Sequence, residues 1–216
     1  MNQQDADPTS RTDPTPRDDL APRDDLAPRD DLTRLRADLA RRAEASGDLD
    51  ISYREVDGPL GRLLVAATPA GLLRVAFPGE GVDAVLTDLA ARVSPRILHG
   101  GRRLDEPARE LEEYLEGRRR SFDLPLDLSL LHGFRREVVA SALPRIRYGQ
   151  TASYAQVAAL ADRPRAVRAV GTACARNPLP LVLPCHRVVR SDGTPGAYRG
   201  GPEAKRQLLD LEAAAG

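Results

Sequence analysis

The hexapeptide Pro-Arg-Asp-Asp-Leu-Ala stands at 16–21 and again at 22–27, and nearly a third time at 28–33. This repeat sets the first limit on the fold. Six residues are too few for a solenoid unit, and the repeat lacks the aromatic and β-branched side chains that build a core. Residues 1–50 are therefore expected to be a disordered, acidic, low-complexity arm, which leaves the folded domains to residues 51–216. Within the arm, leucines and alanines recur at helical spacing over 32–45, so that stretch could form a helix.

Charge is distributed unevenly along a chain whose formal net charge is zero. Residues 1–50 carry a net −5, residues 51–130 a net −2 and residues 131–216 a net +7. A basic C-terminal third suits a polyanion such as nucleic acid, although any surface must carry charge of some kind. The two cysteines, Cys174 and Cys185, have no CxxC spacing, which excludes a disulfide scaffold and a cysteine-built zinc site. No apolar run approaches the roughly 20 residues of a membrane span. The acidic N-terminus is unlike a signal peptide, so a soluble, cytoplasmic protein is expected, with no membrane partner.

From residue 51 the runs ISYREV, GRLLVAAT and GLLRVAF are short and strand-like, separated by turn residues at Asp57-Gly58-Pro59 and Pro69-Ala70-Gly71. They predict a three-stranded antiparallel meander. Residues 82–93 and 106–117 have helical periodicity, the second closing on Gly117, and SFDLPLDL (121–128) predicts one more strand. His99, beside two glycines, reads as an exposed loop histidine. From about 131 helices dominate. Gly133–Leu143 predicts one helix, and Thr151 or Ser153 can cap the next, Tyr154–Ala161. Pro164 suits the first position of a following helix that runs to about Ala175. Two helices joined by a short turn have a helix-turn-helix rhythm, which an ordinary helix hairpin would share. The predicted class is α+β: a small N-terminal α/β domain (51–130) built on an antiparallel sheet, then a helical domain (131–216).

The chemistry concentrates at Asn177-Pro-Leu-Pro-Leu-Val-Leu-Pro-Cys185-His186-Arg187-Val188. A proline-bounded apolar run predicts a buried extended segment that delivers a cysteine beside a base and a cation. A base or cation nearby lowers a thiol pKa, and the thiolate is the nucleophile. His186 could reach the sulfur directly only if the chain bends, and otherwise through a water. A small buried hydrophobe is the other reading of any free cysteine, and for mid-helix Cys174 it is the one adopted.

Pro184-Cys185-His186-Arg187-Val188 resembles the active-site motif of the O6-alkylguanine-DNA alkyltransferases. Tyr148-Gly149-Gln150-Thr151-Ala152-Ser153-Tyr154 resembles the approach to that family's first recognition-motif helix. Arg168-Ala169-Val170-Gly171 resembles the start of its DNA-reading helix, and Asn177-Pro178 its hinge. Gly193 to Gly201, which includes Tyr198, Arg199 and Gly200, is similar to the loop over its base pocket. Lys205, Leu208-Leu209 and Glu212 resemble its closing helix, and the strands from 51 its N-terminal domain. The resemblance covers about 51–216 and implies a ribonuclease-H-like N-terminal domain followed by a winged helix-turn-helix-like domain.

It also implies a function: direct repair of duplex DNA by one irreversible transfer of the alkyl group from O6-alkylguanine, and from O4-alkylthymine, to Cys185. The base would be flipped out of the stack. His186, held by Glu212, would take the thiol proton through a water. Asn177 would fix the hinge. Tyr154 would crowd the adjacent phosphate and hydrogen-bond the flipped base. Arg168 would fill the vacated stack, with Ala169 and Gly171 letting the helix lie close to the groove. Tyr198, Val188, Arg199 and Gly200 would wall the pocket. The resemblance implies a monomer with no metal and no organic cofactor; with no cysteine before 174, the zinc site of some members is not built. In the helix at 134–139, Arg135 and Val139 stand where the family has Gln and Trp. A non-repairing lesion binder of the same family is the alternative, but such members lack the cysteine. A cysteine hydrolase would need turnover and an oxyanion donor.

Overall fold

The computed structural model describes residues 29–214. The hexapeptide copies at 16–27 lie outside the described residues. Helix α1 (Arg29–Ser46) contains the expected 32–45 stretch and extends it. It is docked on the fold, with Ala40 and the following Leu49 buried. Its Glu44 accepts hydrogen bonds from Ser52 Oγ (2.5 Å) and Arg102 N (2.9 Å). Against the expected arm boundary at residue 50, the stretch from about 37 to 50 rests on the folded unit through Ala40, Glu44 and Leu49, while Leu32, Leu35 and Leu39 of the helix stay exposed.

The meander forms as expected. Strands β1 (Ile51–Val56), β2 (Leu63–Thr68) and β3 (Gly71–Ala76) pair antiparallel in sequence order. Helix α2 (Val82–Arg92) crosses over to β4 (Ile97–His99), which adds parallel to β1, so the sheet order is β3-β2-β1-β4. His99 is thus the last residue of an edge strand, its ring edge-on to Tyr53 at 5.2 Å. Both faces of the sheet are covered. Leu64, Ala66, Leu73 and Ala76 pack with Val85 and Leu89 of α2. Leu63, Val65, Ala67 and Leu72 face the other way, into a larger core that also holds helix α3 (Asp105–Leu115) and most of the C-terminal half. This alternation is the strand period at work, with each face meeting its own layer.

The strand predicted at 121–128 does not form. The segment lies along β3 with two backbone hydrogen bonds, Leu72 N to Pro125 O and Asp127 N to Leu72 O. Pro125 has no N–H to continue a ladder.

The predicted helix at 133–143 is not uniform. Helix α4 (Gly133–Arg136) widens into a π-turn segment, Glu137–Ala142, and ends in a 3-10 turn, Leu143–Arg145. Pro144 would clash with the carbonyl four residues earlier in an α-helix, and the wider turn relieves that clash. Short strand β5 (Ala152–Ser153) leads to α5 (Tyr154–Leu160), where Ser153 and Gln156 form a reciprocal capping box. Helix α6 (Val167–Ala175) follows. Pro164 sits in a turn closed by Ala166 N to Arg163 O (2.8 Å), not at the first position of α6. A type I turn favours proline at its second residue. The chain then runs through 177–184 to a 3-10 turn, Cys185–Arg187, to β6 (Val188–Val189), parallel to β5, and to the closing helix α7 (Gly201–Ala214). No helix among the described residues is long and apolar enough to cross a membrane.

Candidate active site

Asn177 organises the segment before the nucleophile. It is buried; its Nδ2 donates to Leu183 O at 2.7 Å and lies 3.2 Å from Cys185 Sγ, while its Oδ1 accepts from Leu179 N at 2.9 Å. One amide thus ties both ends of the loop and touches the sulfur. Leu181, inside the loop, has φ +71 and is fully packed. A non-glycine residue there costs about 1–2 kcal/mol, a strain that burial must hold in place.

Cys185 is buried, and burial pushes its thiol up to about 11; the Asn177 hydrogen bond and the positive charge of Lys205 oppose this without overcoming it. The expectation of a lowered thiol pKa is therefore corrected. At neutral pH the resting sulfur is a protonated thiol, because desolvation of the anion outweighs one amide and one cation. The thiol needs a base. Lys205, buried, is held by Val188 O at 2.5 Å.

The base lies next in sequence. His186 Nε2 is 2.9 Å from Glu212 Oε1, and His186 is completely buried. Glu212 is the hub of the site. Arg187 donates to both its oxygens (Nε to Oε2 2.9 Å, Nη2 to Oε1 2.8 Å), and Gly149 N donates to Oε2 at 3.0 Å. Tyr114 OH donates to Oε1 and lies 3.2 Å from His186 Nε2. Burial alone would raise the Glu212 carboxyl, but the His186 and Arg187 hydrogen bonds hold it well below the usual carboxylate range. Glu212 is thus ionised. Burial lowers the His186 pKa more than Glu212 raises it, so the imidazole is neutral. With Nε2 bearing the proton toward Glu212, Nδ1 is the free lone pair. It is buried and has no hydrogen-bond partner among the described residues. A neutral base with an open acceptor nitrogen, one residue along the chain from a neutral thiol, can take up one proton.

Tyr114 was not foreseen from sequence. It lies on the core face of acidic helix α3, 98 residues from Glu212. Its signal was its position: a tyrosine where the pattern calls for leucine buries a hydroxyl that must find a partner. Arg187 was seen as a neighbouring cation, and its fork on Glu212 is the bidentate geometry that guanidinium favours.

The remaining predicted residues fall around this centre. Tyr154, half-buried at the start of α5, faces α6 and the 193–200 loop. A Cβ on Gly171 would lie 3.9 Å from its ring, and one on Gly196 would collide with its hydroxyl at 2.3 Å. Tyr198 sets its ring edge-on to His186 (6.3 Å) and to Phe77 (5.4 Å). Val188 is buried in β6. Gly200 lies against the Phe77 ring, where any Cβ would collide at 2.6 Å. Arg168 and Ala169 are exposed on the first turn of α6. Arg199 pairs with Glu80 Oε2 of the N-terminal domain at 3.2 Å, and its positive charge also acts on the Cys185 thiol. Cys174 lies buried in α6, its thiol pushed far up by burial. Among the described residues no group of three or more His, Cys, Asp or Glu is placed to hold a metal ion.

A pH profile reads this arrangement directly. Reaction of Cys185 with a soluble alkylating substrate, followed by intact mass, is expected to hold steady down to about pH 6.5 and to fall only below it. It should show no inflection near 9, since Sγ titrates at about 11. An acid limb centred above 7 would contradict a neutral His186.

The family models match in two blocks. Residues 51–128 match the ribonuclease-like domain of 6-O-methylguanine DNA methyltransferase, and residues 134–214 match its DNA-binding domain. The mouse methylated-DNA–protein-cysteine methyltransferase is 36% identical over 169 residues, 74% of this chain and 79% of the relative. The inducible enzyme of that name from Bacillus subtilis is 37% identical over 150 residues, 68% of this chain and 82% of the relative. The crystal structure of the Mycobacterium tuberculosis O6-methylguanine methyltransferase superposes with a TM-score of 0.65 at 31% identity, over 77% of this chain and 94% of that one. The same protein has been solved in complex with DNA. On a match that spans both halves of the fold and takes in the cysteine, the imidazole and the carboxylate just described, the chain belongs to the 6-O-methylguanine DNA methyltransferase family and, with it, to the DNA-repair alkyltransferases.

Proposed function

We propose that this chain repairs duplex DNA in a single turnover, moving the alkyl group of O6-alkylguanine, and of O4-alkylthymine, onto Cys185 after the base has been turned out of the stack. The observation that carries the reading is the buried Cys185 thiol beside neutral His186, whose Nδ1 is unpaired and whose Nε2 is fixed by Glu212. In the step, the thiol proton passes through a water to His186. The sulfur attacks the alkyl carbon in line, a C–S bond forms and the C–O bond breaks, and the purine oxygen keeps the bonding pair. The guanine anion so released takes that proton back from the His186 imidazolium through the water, which leaves a neutral base and a neutral imidazole. The thioether has no route back to thiol, so each molecule acts once, and the residues propose no metal and no organic cofactor.

The target atom lies inside a duplex, and extrusion costs a few kcal/mol. Exposed Arg168 on α6 is suited to fill the gap left in the stack from the minor groove. Ala169 and Gly171 allow the helix close to the backbone, and Tyr154 is placed to press on the adjacent phosphate and to hydrogen-bond the base. Tyr198, Val188 and Gly200 border the route to the sulfur. The division into an N-terminal domain at 51–130 and a DNA-binding transfer domain at 131–216, acting as a monomer, belongs to the same reading.

The mass of the tryptic peptide that holds Cys185, after exposure to a methylated oligonucleotide, is expected to rise by one methyl group; an unmodified peptide would falsify the repair reading. Arg168→Ala is expected to slow transfer from duplex DNA about 10-fold or more while leaving transfer from a free alkylguanine base nearly unchanged. Equal losses on both substrates would remove the stacking role.

A further inference from the structure

Away from Cys185, a cleft of about 570 Å³ opens between the two halves of the fold. Five arginines line it: Arg74 and Arg92 from the N-terminal half, and Arg135, Arg176 and Arg199 from the C-terminal half. Two carboxylates face them, and both are committed. Glu80 pairs with Arg74 and, at 3.2 Å, with Arg199, and its other oxygen accepts from Phe77 N at 2.9 Å. Asp88 pairs with Arg92 at 3.0 Å. Arg74 is buried and spends further donors on the carbonyls of Val75 (2.8 Å) and Pro178 (3.1 Å). Arg135 and Arg176 make no side-chain hydrogen bond or ion pair with any described residue. The cleft thus carries three positive charges in excess, with two guanidinium forks unspent.

We propose that this cleft binds the phosphate of a nucleotide, and that Arg135 and Arg176 are its principal ligands. Planar guanidinium matches phosphate oxygens two at a time and is always charged, which an anion of this kind exploits. The volume lies in the range of small-ligand sites. The phosphate has two possible sources, the DNA backbone and a free nucleotide, and position favours the first. Arg176 caps the end of α6, and Arg168 lies eight residues earlier on the same helix, so the two stand about 12 Å apart along its axis. On the proposed reading of α6 as the DNA-facing helix, on which this inference rests, a strand that passes Arg168 continues toward Arg176 and the cleft. The anion would also bridge the two halves of the fold beside the loop that Arg199 ties to Glu80.

The test uses the full chain and the variant R135A/R176A. Undamaged duplex is titrated at several salt concentrations. The variant is expected to bind about 10-fold more weakly at low salt, with the slope of log affinity against log salt reduced by one to two. ATP, as a free nucleotide, is added to both proteins in a thermal melt. A shift in the wild type that the variant lacks would assign the site to a free nucleotide, and an altered salt slope assigns it to the DNA backbone. An unchanged slope together with no variant-dependent ATP shift overturns the proposal, and a normal melting temperature for the variant guards against misfolding. Transfer from a free alkylguanine base is read in parallel on the wild type. Its absence would sink the alkyltransferase reading while leaving the salt slope interpretable.

Discussion

Cys185→Ser is expected to end alkyl transfer altogether, below detection by intact mass, while duplex affinity stays within about two-fold of the wild type. The hydroxyl is close in size to the thiol and can still accept from Asn177, so the 177–187 segment should keep its shape. What fails is chemistry. A serine oxygen holds its proton far more tightly than a thiol does, and burial already pushes the thiol up to about 11. One imidazole, whose own pKa burial has lowered, has no driving force to ionise an alcohol in the same place. The matched control is Cys174→Ser, which should keep transfer, since Cys174 lies within α6 and plays no part in the relay. Residual alkylation of the Cys185→Ser protein would place the acceptor elsewhere.

The second large effect is expected from Glu212→Ala. This change removes the acceptor of four donors at once: His186, Arg187, Tyr114 and Gly149 N. Arg187 would be left as a buried cation without its counter-charge, and breaking such a pair costs about 3–5 kcal/mol. Chemical denaturation should show the loss as a lowered midpoint, and transfer should slow by about 100-fold as His186 loses its orientation. Tyr114→Phe separates the two effects. It keeps the ring packing and removes only the hydroxyl's contacts to Glu212 and His186, so stability should fall by only about 1–2 kcal/mol. Acid adds a further check. The folded Glu212 carboxyl titrates below its unfolded value, so its stabilisation is complete above about pH 4.3 and fades as the pH falls further. A wild type whose stability is level through that window would contradict the ionised hub.

What could be read in advance follows sequence distance. Asn177, Cys185 and His186 lie within ten residues, and the prolines between them already require an extended loop. Glu212 came within reach only through resemblance to a family, because no local pattern links it to His186. Tyr114 could not be reached at all, since only the packing of α3 against the C-terminal half brings its hydroxyl to the carboxylate. The misread segments each hold a proline. At 125 the missing proline N–H interrupts the ladder, at 144 the ring would clash with an earlier carbonyl, and at 164 the ring sits in a turn ahead of α6. The thiol was misjudged for a different reason: neighbours are visible in sequence, but depth of burial is not.

The larger core runs without a break from the sheet into the helices and the loop segment that surround and carry the nucleophile. Tyr114 makes that continuity chemical, since a hydroxyl from one half hydrogen-bonds the carboxylate and imidazole of the other. Grafting the carboxyl-terminal half onto a foreign amino-terminal partner would therefore leave a well-formed sulfur with a mis-tuned base, and chimaeras between relatives should inherit their reactivity from both parents.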